Sequence, residues 1–315
     1  MPTAVDLSLP LSEILHKGTL AAHEEVEHSA GAHALISGEL KREEYVQFLM
    51  MLWHIYDAFE EALERHASHP VLQPTHNPTL LARRDALGAD ISYLLEVPET
   101  SWQSHPLHLA LRTSPPAGLD AYTSRIRTLS ESNPARLLAH SYVRYLGDLS
   151  GGQFIRHRLA KAYSLDEQTG SGLAFYHFSQ LGAAGASASI GDMRKIKGWF
   201  KAGMDAGVND NDALKEEILE EANIAFQLNN GLFKAIEAFT AAHASTVPAS
   251  KELPGVIEHP QEEKTYPLAT VVSVIAAICL AHFLLVVGGF TGDKGYAKLL
   301  AFEQWVGSLW VHASE

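Results

Sequence analysis

The sequence is poor in cysteine, in positive charge and in anything resembling a strand. Of its 315 residues only one, Cys279, is a cysteine. A single thiol closes no intrachain disulfide and builds no cysteine-based metal site, and this usage fits a reducing compartment. Lysine and arginine number 24 against 37 aspartates and glutamates, for a net charge of −13. A chain so short of basic surface is a poor general binder of nucleic acid, whose phosphates demand it. The stretch 1–10 lacks the basic start and long apolar core of a secretory signal. No Gly-x-Gly-x-x-Gly follows a strand, so a nicotinamide or flavin site is not expected. No internal repeat is found.

What the chain has is helical periodicity. Leu11, Leu15, Thr19, Ala22 and Val26 recur at i+3/i+4 spacing and predict one helix over 11–29, with His23 beside the stripe at the core edge. A longer helix over 41–67 carries Tyr45, Phe48, Leu49, Leu52, Tyr56, Phe59 and Leu63 inward, leaving His54 and Asp57 to solvent. Tyr56 by itself reads as a core aromatic with a bonded hydroxyl. Helices over 79–95 and 119–130 follow, separated by proline-rich loops. Asn133-Pro134 reads as an N-cap followed by proline at the first helical position. Residues 190–204 form a locally basic helix with Arg194, Lys197 and Lys201 on one face. The last helix runs to 243, capped by Asp212, with Glu216, Glu217, Glu220 and Glu221 on a solvated face. The expectation is all-α: about eight helices, no convincing strand, and one domain over 8–243.

Residues 244–267 alternate Pro248, Pro254, Pro260 and Pro267 with polar residues and read as a tether. Residues 268–290 are then apolar for 23 positions, with His282 their one basic side chain. A helix of that length spans a bilayer core of about 30 Å. Residues 291–315 form a short amphipathic tail bearing Trp305 and Trp310, suited to a headgroup region. A span so near the C-terminus would leave the large domain in the cytosol.

The helix after Pro134 contains the least helix-like stretch, Tyr142-Val-Arg-Tyr-Leu-Gly-Asp-Leu-Ser-Gly-Gly-Gln153. Three glycines (Gly147, Gly151, Gly152) and Asp148 fall within six residues. Each glycine costs about 1 kcal/mol against alanine inside a helix. Bare backbone there serves a kink or a flat ligand pressed against it. A histidine on one helix and a glycine wall on another make a slot for a planar group such as haem. Lys197 and Lys201 suit its two carboxylates.

These segments resemble the haem oxygenases over residues 11–243. Leu11-Ser-Glu-Ile-Leu with His23-Glu-Glu-Val-Glu27 is similar to the family's proximal helix, and Trp53-His-Ile-Tyr56 with Glu60-Glu61 to its second helix. Tyr142–Gln153 resembles its distal signature almost letter for letter. Gly172-Leu-Ala-Phe175 and Ala225-Phe-Gln-Leu-Asn229 match further blocks. The resemblance implies a haem held between proximal and distal helices, with His23 as iron ligand and Glu27 accepting from its other ring nitrogen or sitting near it. It implies that Gly147, Gly151, Lys197, Lys201, Phe226 and Asn229 contact haem. It gives Asp148 a water-mediated proton role, with Tyr56 and Arg144 linked to it. Where animal members carry basic residues on the proximal helix, this chain has His16 and Leu20. Propionate anchoring then rests on the later basic helix.

The implied reaction uses haem as cofactor and substrate. It opens the ring to biliverdin and releases carbon monoxide and ferrous iron, using O2 and electrons from a partner. An NADPH-cytochrome P450 reductase-type donor is expected, docking on Arg156, Arg158 and Lys161, with the anchor in the endoplasmic reticulum membrane. A haem-binding sensor or chaperone, and more remotely a helical membrane adaptor, are the competing readings. Asp148 favours turnover, since holding haem does not need it.

Overall fold

Thr19 divides the first predicted helix. Its hydroxyl bonds back to the Leu15 carbonyl at 2.7 Å, and its backbone leaves the helical region at φ −108° and ψ 2°. The computed structural model describes residues 5–246, and there the segment forms α1 (Leu11–Gly18) and α2 (Leu20–Glu27). Helix α3 (Ala30–Ser37) follows, capped by the Ser29 side chain and ended by Gly38 at φ 71°. Its apolar run Ala-Gly-Ala-His-Ala-Leu-Ile shows no one-sided period, so the pattern did not announce it.

The centre is α4 (Arg42–Arg65). Glu44 accepts from the Lys41 backbone at 2.9 Å and fixes its start. Tyr45, Leu49, Met50, Met51, Ile55, Tyr56 and Phe59 are fully buried along it. Around it pack α6 (Arg84–Leu95), reached through the short α5 (Pro78–Leu81), and α8 (Ala117–Ser132), preceded by α7 (Pro106–Thr113). His54 is not solvated: it is half-buried, and its Nε2 lies 3.0 Å from Nε2 of His108 on α7. Asp57 is half-buried beside Arg84, at 3.4 Å.

Asn133 stands at the N-cap position before Pro134 as expected, but its side chain makes no capping bond and its side-chain amide donates instead to Glu217 at 2.9 Å. A 3-10 turn over Pro134–Arg136 leads into α9 (Leu137–Ser141), a π-helical turn (Tyr142–Leu146), α10 (Gly147–Ser150) and α11 (Gly152–Ala162). A small antiparallel hairpin, β1 (Ser179–Gln180) and β2 (Ala183–Ser187), was not anticipated. Helix α12 (Ile190–Val208) starts at a capping box of Ser189 and Asp192. The last helix, α13 (Asp212–Thr246), is capped one residue earlier than expected, by Asn211, whose side chain accepts from the Leu214 amide. There are thirteen α-helical segments among the described residues, against about eight expected.

Helix α13 touches α1, α2, α3, α4, α8 and α9 and so gathers the bundle. Its contact with α8 is at backbone distance: a Cβ on Gly118 would stand 2.4 Å from the Gly231 carbonyl oxygen. Glu221 is not solvated either. It is fully buried between Arg125, Arg136 (3.2 Å) and His140 (3.1 Å). Burial would raise its pKa, but His140 and Arg125 outweigh that and hold it at about 2. Among the described residues no helix is long and apolar enough to cross a membrane. Helix α13 runs on to Thr246, so the tether expected from 244 starts no earlier than 247; the rest of the tether, the span expected at 268–290 and the amphipathic tail lie outside the described residues.

Candidate functional site: an open histidine and a glycine wall

His23 sits on α2, a helix that buries none of its residues. Rather than lying at the core edge, its side chain is 59% exposed. Its Nδ1 lies 3.5 Å from Glu27 one turn on, which leaves Nε2 without a partner among the described residues. The Phe226 ring of α13 meets it edge-on at 5.8 Å and fixes its tilt.

The glycine stretch reaches the same region. Tyr142 directs its hydroxyl to Thr19, one turn before His23. The π-turn over Tyr142–Leu146 changes the helix phase just before Gly147, a device common where a helix borders a site. Gly147 and Gly151 are exposed, and a Cβ on Gly147 would meet no atom within 4 Å. On Gly151 the nearest would be the Gly147 carbonyl oxygen at 3.8 Å. Neither glycine is required by protein packing, so the bare backbone is available to a ligand. Gly152 is different: it is buried, 3.2 Å in the same construction from the Tyr176 ring.

Between these glycines the Asp148 carboxylate turns inward and accepts from the buried Tyr56 hydroxyl. Burial raises its pKa to about 6, against the downward pull of Arg144, Tyr56 and Arg83. The carboxyl is therefore poised to hold or release a proton near neutrality. Arg144 makes no direct bond to it; the guanidinium lies 5.7 Å from the Tyr56 ring centre and 5.9 Å from that of Tyr122. Its Nε and Nη1 are buried without a partner, as are Asn229 Oδ1 and the Tyr122 hydroxyl. Such groups ordinarily bond to ligand or ordered water.

On α12, Lys197 is half-buried and Lys201 exposed, and neither has a carboxylate partner among the described residues. Helix α12 packs on α1, tied by Ser12 Oγ to Asp205 at 2.9 Å. On α11, Arg156 is engaged with Glu167, Arg158 lies over the Phe154 ring at 5.1 Å, and Lys161 is exposed.

Sequence reasoning missed several buried polar residues. Arg83 is buried beneath the wall, donating to the carbonyls of Leu80, Leu81 and His177. Asp90 accepts from the amides of Ala174 and Phe175 and is raised by burial to about 7. Glu60 appeared only within a matched motif. The available signal was its position four residues after Tyr56, on the same face of α4.

These residues fit a haem: one unpartnered imidazole nitrogen, a strip of bare backbone, free cations and unused polar atoms beside a poised carboxyl. They make a helical site suited to a flat, iron-bearing ring, with a buried carboxyl beside it. A sequence model of the family described as Heme oxygenase matches residues 9–235. Heme oxygenase 1 of Nostoc sp. is 33% identical over 231 residues, 73% of this chain and 87% of that protein. Heme oxygenase 1 of Rattus norvegicus is 32% identical over 252 residues, 80% of each chain. The match to heme oxygenase 2 of Macaca fascicularis covers 65% of that protein's length. Heme oxygenase-2 from Synechocystis sp., solved with heme and NO, superposes with a TM-score of 0.65 at 31% identity, covering 75% of this chain and 88% of that one. The chain belongs to the haem oxygenase family, and by that membership is a haem-degrading enzyme with the family's all-helical fold.

Proposed function

We propose that this chain opens haem oxidatively to biliverdin, carbon monoxide and ferrous iron, with His23 as iron ligand and Asp148 controlling the proton. Haem, when bound and reduced, supplies the oxygen-activating chemistry and is itself the ring that opens. His23 presents Nε2, steadied by Glu27 and Phe226. Gly147 and Gly151 admit a flat ring to the backbone, and Lys197 and Lys201 meet its propionates by charge-assisted bonds. Asp148, with Tyr56 donating to it, holds a proton at the distal side and passes it on through water. A carboxyl raised by burial to about 6 does this as a moderate donor near neutral pH. The observation that carries the reading is this carboxyl between two ligand-facing glycines, since a haem carrier has no use for it.

O2 is the oxidant, and NADPH acts through a separate reductase. Arg158 and Lys161, exposed on α11 beside Phe154, offer it a basic dock. The apolar run 268–290 supports anchoring in a membrane, with the catalytic domain in the cytosol, most simply at the endoplasmic reticulum. The test is to load the protein with haemin and supply NADPH and a P450-type reductase. A biliverdin absorption band with carbon monoxide release is expected. Haem binding with no ring opening would instead make the protein a haem carrier.

A further inference from the structure

A second cleft, lined in part by α4, reaches Tyr145. It is small, with a cavity volume of about 30 Å³, room for a single water, and is lined by Glu60, Glu64, His76, Asn77, Ser141 and Tyr145, among others. At its rim His76 pairs with the exposed Glu64 at 3.2 Å. On its inner side stands Tyr145, 3% exposed, with its ring 6.3 Å from that of Tyr56, the residue that bonds Asp148. No catalytic role described above uses this cleft.

Glu60 is its one deep carboxyl. The Arg83 amide donates to Glu60 Oε1 at 2.5 Å, and the Arg84 amide reaches both oxygens at 3.3 Å. No side-chain cation is bonded to it. The Arg83 guanidinium points to carbonyls, and that of Arg84 to Asp57 and Asp85. Two amides orient the carboxyl without neutralising it. Of the groups facing it, Glu64 and His76 lie toward solvent and Tyr145 inward, while the guanidinium groups of Arg83 and Arg84 act only by charge. Tyr145 feels Glu60 foremost among its charged neighbours, and Asp148 as well. No direct hydrogen bond joins it to Glu60 or Tyr56, so water completes the path between them.

We propose that Glu60 is a proton-intake residue, drawing protons from solvent through this cleft and passing them by way of Tyr145 toward Tyr56 and Asp148. The step balances as a relay. Glu60 gives its proton to the Tyr145 oxygen or an intervening water, which gives up its own proton inward; Glu60 is then reprotonated from the cleft. Burial raises Glu60 to about 7, so it cycles readily near neutral pH. The inference rests on the role proposed for Asp148 but concerns a different residue on a different opening.

Three variants of the full chain test it: Glu60→Gln, which keeps an acceptor for the Arg83 amide but carries no proton; Glu60→Asp, which restores the acid; and Tyr145→Phe. In the haem-free protein, infrared difference spectra should show a carboxylic C=O band that titrates near pH 7 and vanishes in Glu60→Gln. With haem and reductase, Glu60→Gln and Tyr145→Phe should each slow ring opening by about tenfold, less than a direct donor because water still reaches the network. Both should increase the solvent deuterium isotope effect, and Glu60→Asp should restore the rate and its pH profile. An unchanged rate, pH profile and isotope effect in Glu60→Gln overturns the intake role. If Asp148→Ala is slow in the same assays, the function proposed above stands without it; if Asp148→Ala is also normal, that function falls too.

Discussion

Helix α2 buries none of its residues, whereas the adjoining Tyr142–Leu149 stretch buries Val143, Tyr145, Leu146 and Leu149. The two walls of the site differ in kind. On the proximal side His23 and Glu27 are each 59% exposed and steadied by one another and one aromatic edge. On the distal side Asp148, Tyr56 and Arg144 act on one another in a low-dielectric setting, with shifted proton affinities. A metal-binding imidazole needs only an accessible lone pair and a fixed tilt. A proton donor needs a tuned pKa, and tuning demands burial. The chemistry of each role selects its surroundings.

The sharpest break in this contrast is His23→Ala. It removes an exposed side chain, so the fold should keep its stability within about 0.5 kcal/mol, while the haem spectrum changes and ring opening is lost. Absorption spectra and thermal melts of the same sample check both halves. Asp148→Ala should do the converse on the distal wall: haem binding and its spectrum persist, and biliverdin formation falls about a thousandfold. Stopped-flow spectra of haem consumption against product measure it.

A control for burial without catalysis is Glu221, buried like Asp148 but with its pKa lowered to about 2. Glu221→Gln leaves Arg125 and Arg136 without their buried anion and should cost about 3 kcal/mol of stability. The sign follows from its depressed folded value. The contribution is complete above the ordinary value of 4.5 and is lost as pH falls toward 2. For Asp148, raised to about 6, the linkage runs the other way, favouring the fold at lower pH and weakening as pH rises through 6. Urea midpoints across pH 3–7 for the two variants separate the two.

Sequence reading found the helices whose apolar stripe has one clear face, α4, α8 and α12, because periodicity reports burial on one side. It missed α3, whose residues show no such side, and α7, only eight residues long and set between Pro106 and Pro115, and it joined α1 to α2 because a threonine break leaves the period intact. Charge misled it most. Glu221, His54 and Asp57 fell on nominally polar faces, yet a neighbouring helix covers each to some degree, and a partner's arrival is a tertiary fact. The glycine wall was legible because glycine in a helix is costly and asks for a reason. The poise of Asp148 was not, since it depends on residues from α4, the segment before α6 and the π-turn meeting at one point.

Those glycines provide the finest test of the comparison, because packing and ligand contact make opposite demands on the same substitution. Gly118→Ala drives a methyl to 2.4 Å from the Gly231 carbonyl and must separate α8 from α13. It should destabilise the protein by about 2 kcal/mol. Gly147→Ala meets nothing within 4 Å. On helix propensity it should stabilise the haem-free protein by up to about 1 kcal/mol. The same methyl then stands where the ring is to lie, so haem affinity should fall several-fold while the melting temperature rises. Haemin titration and thermal unfolding of Gly147→Ala should therefore move in opposite directions. If they move together, the glycine is present for the helix and not for the ligand.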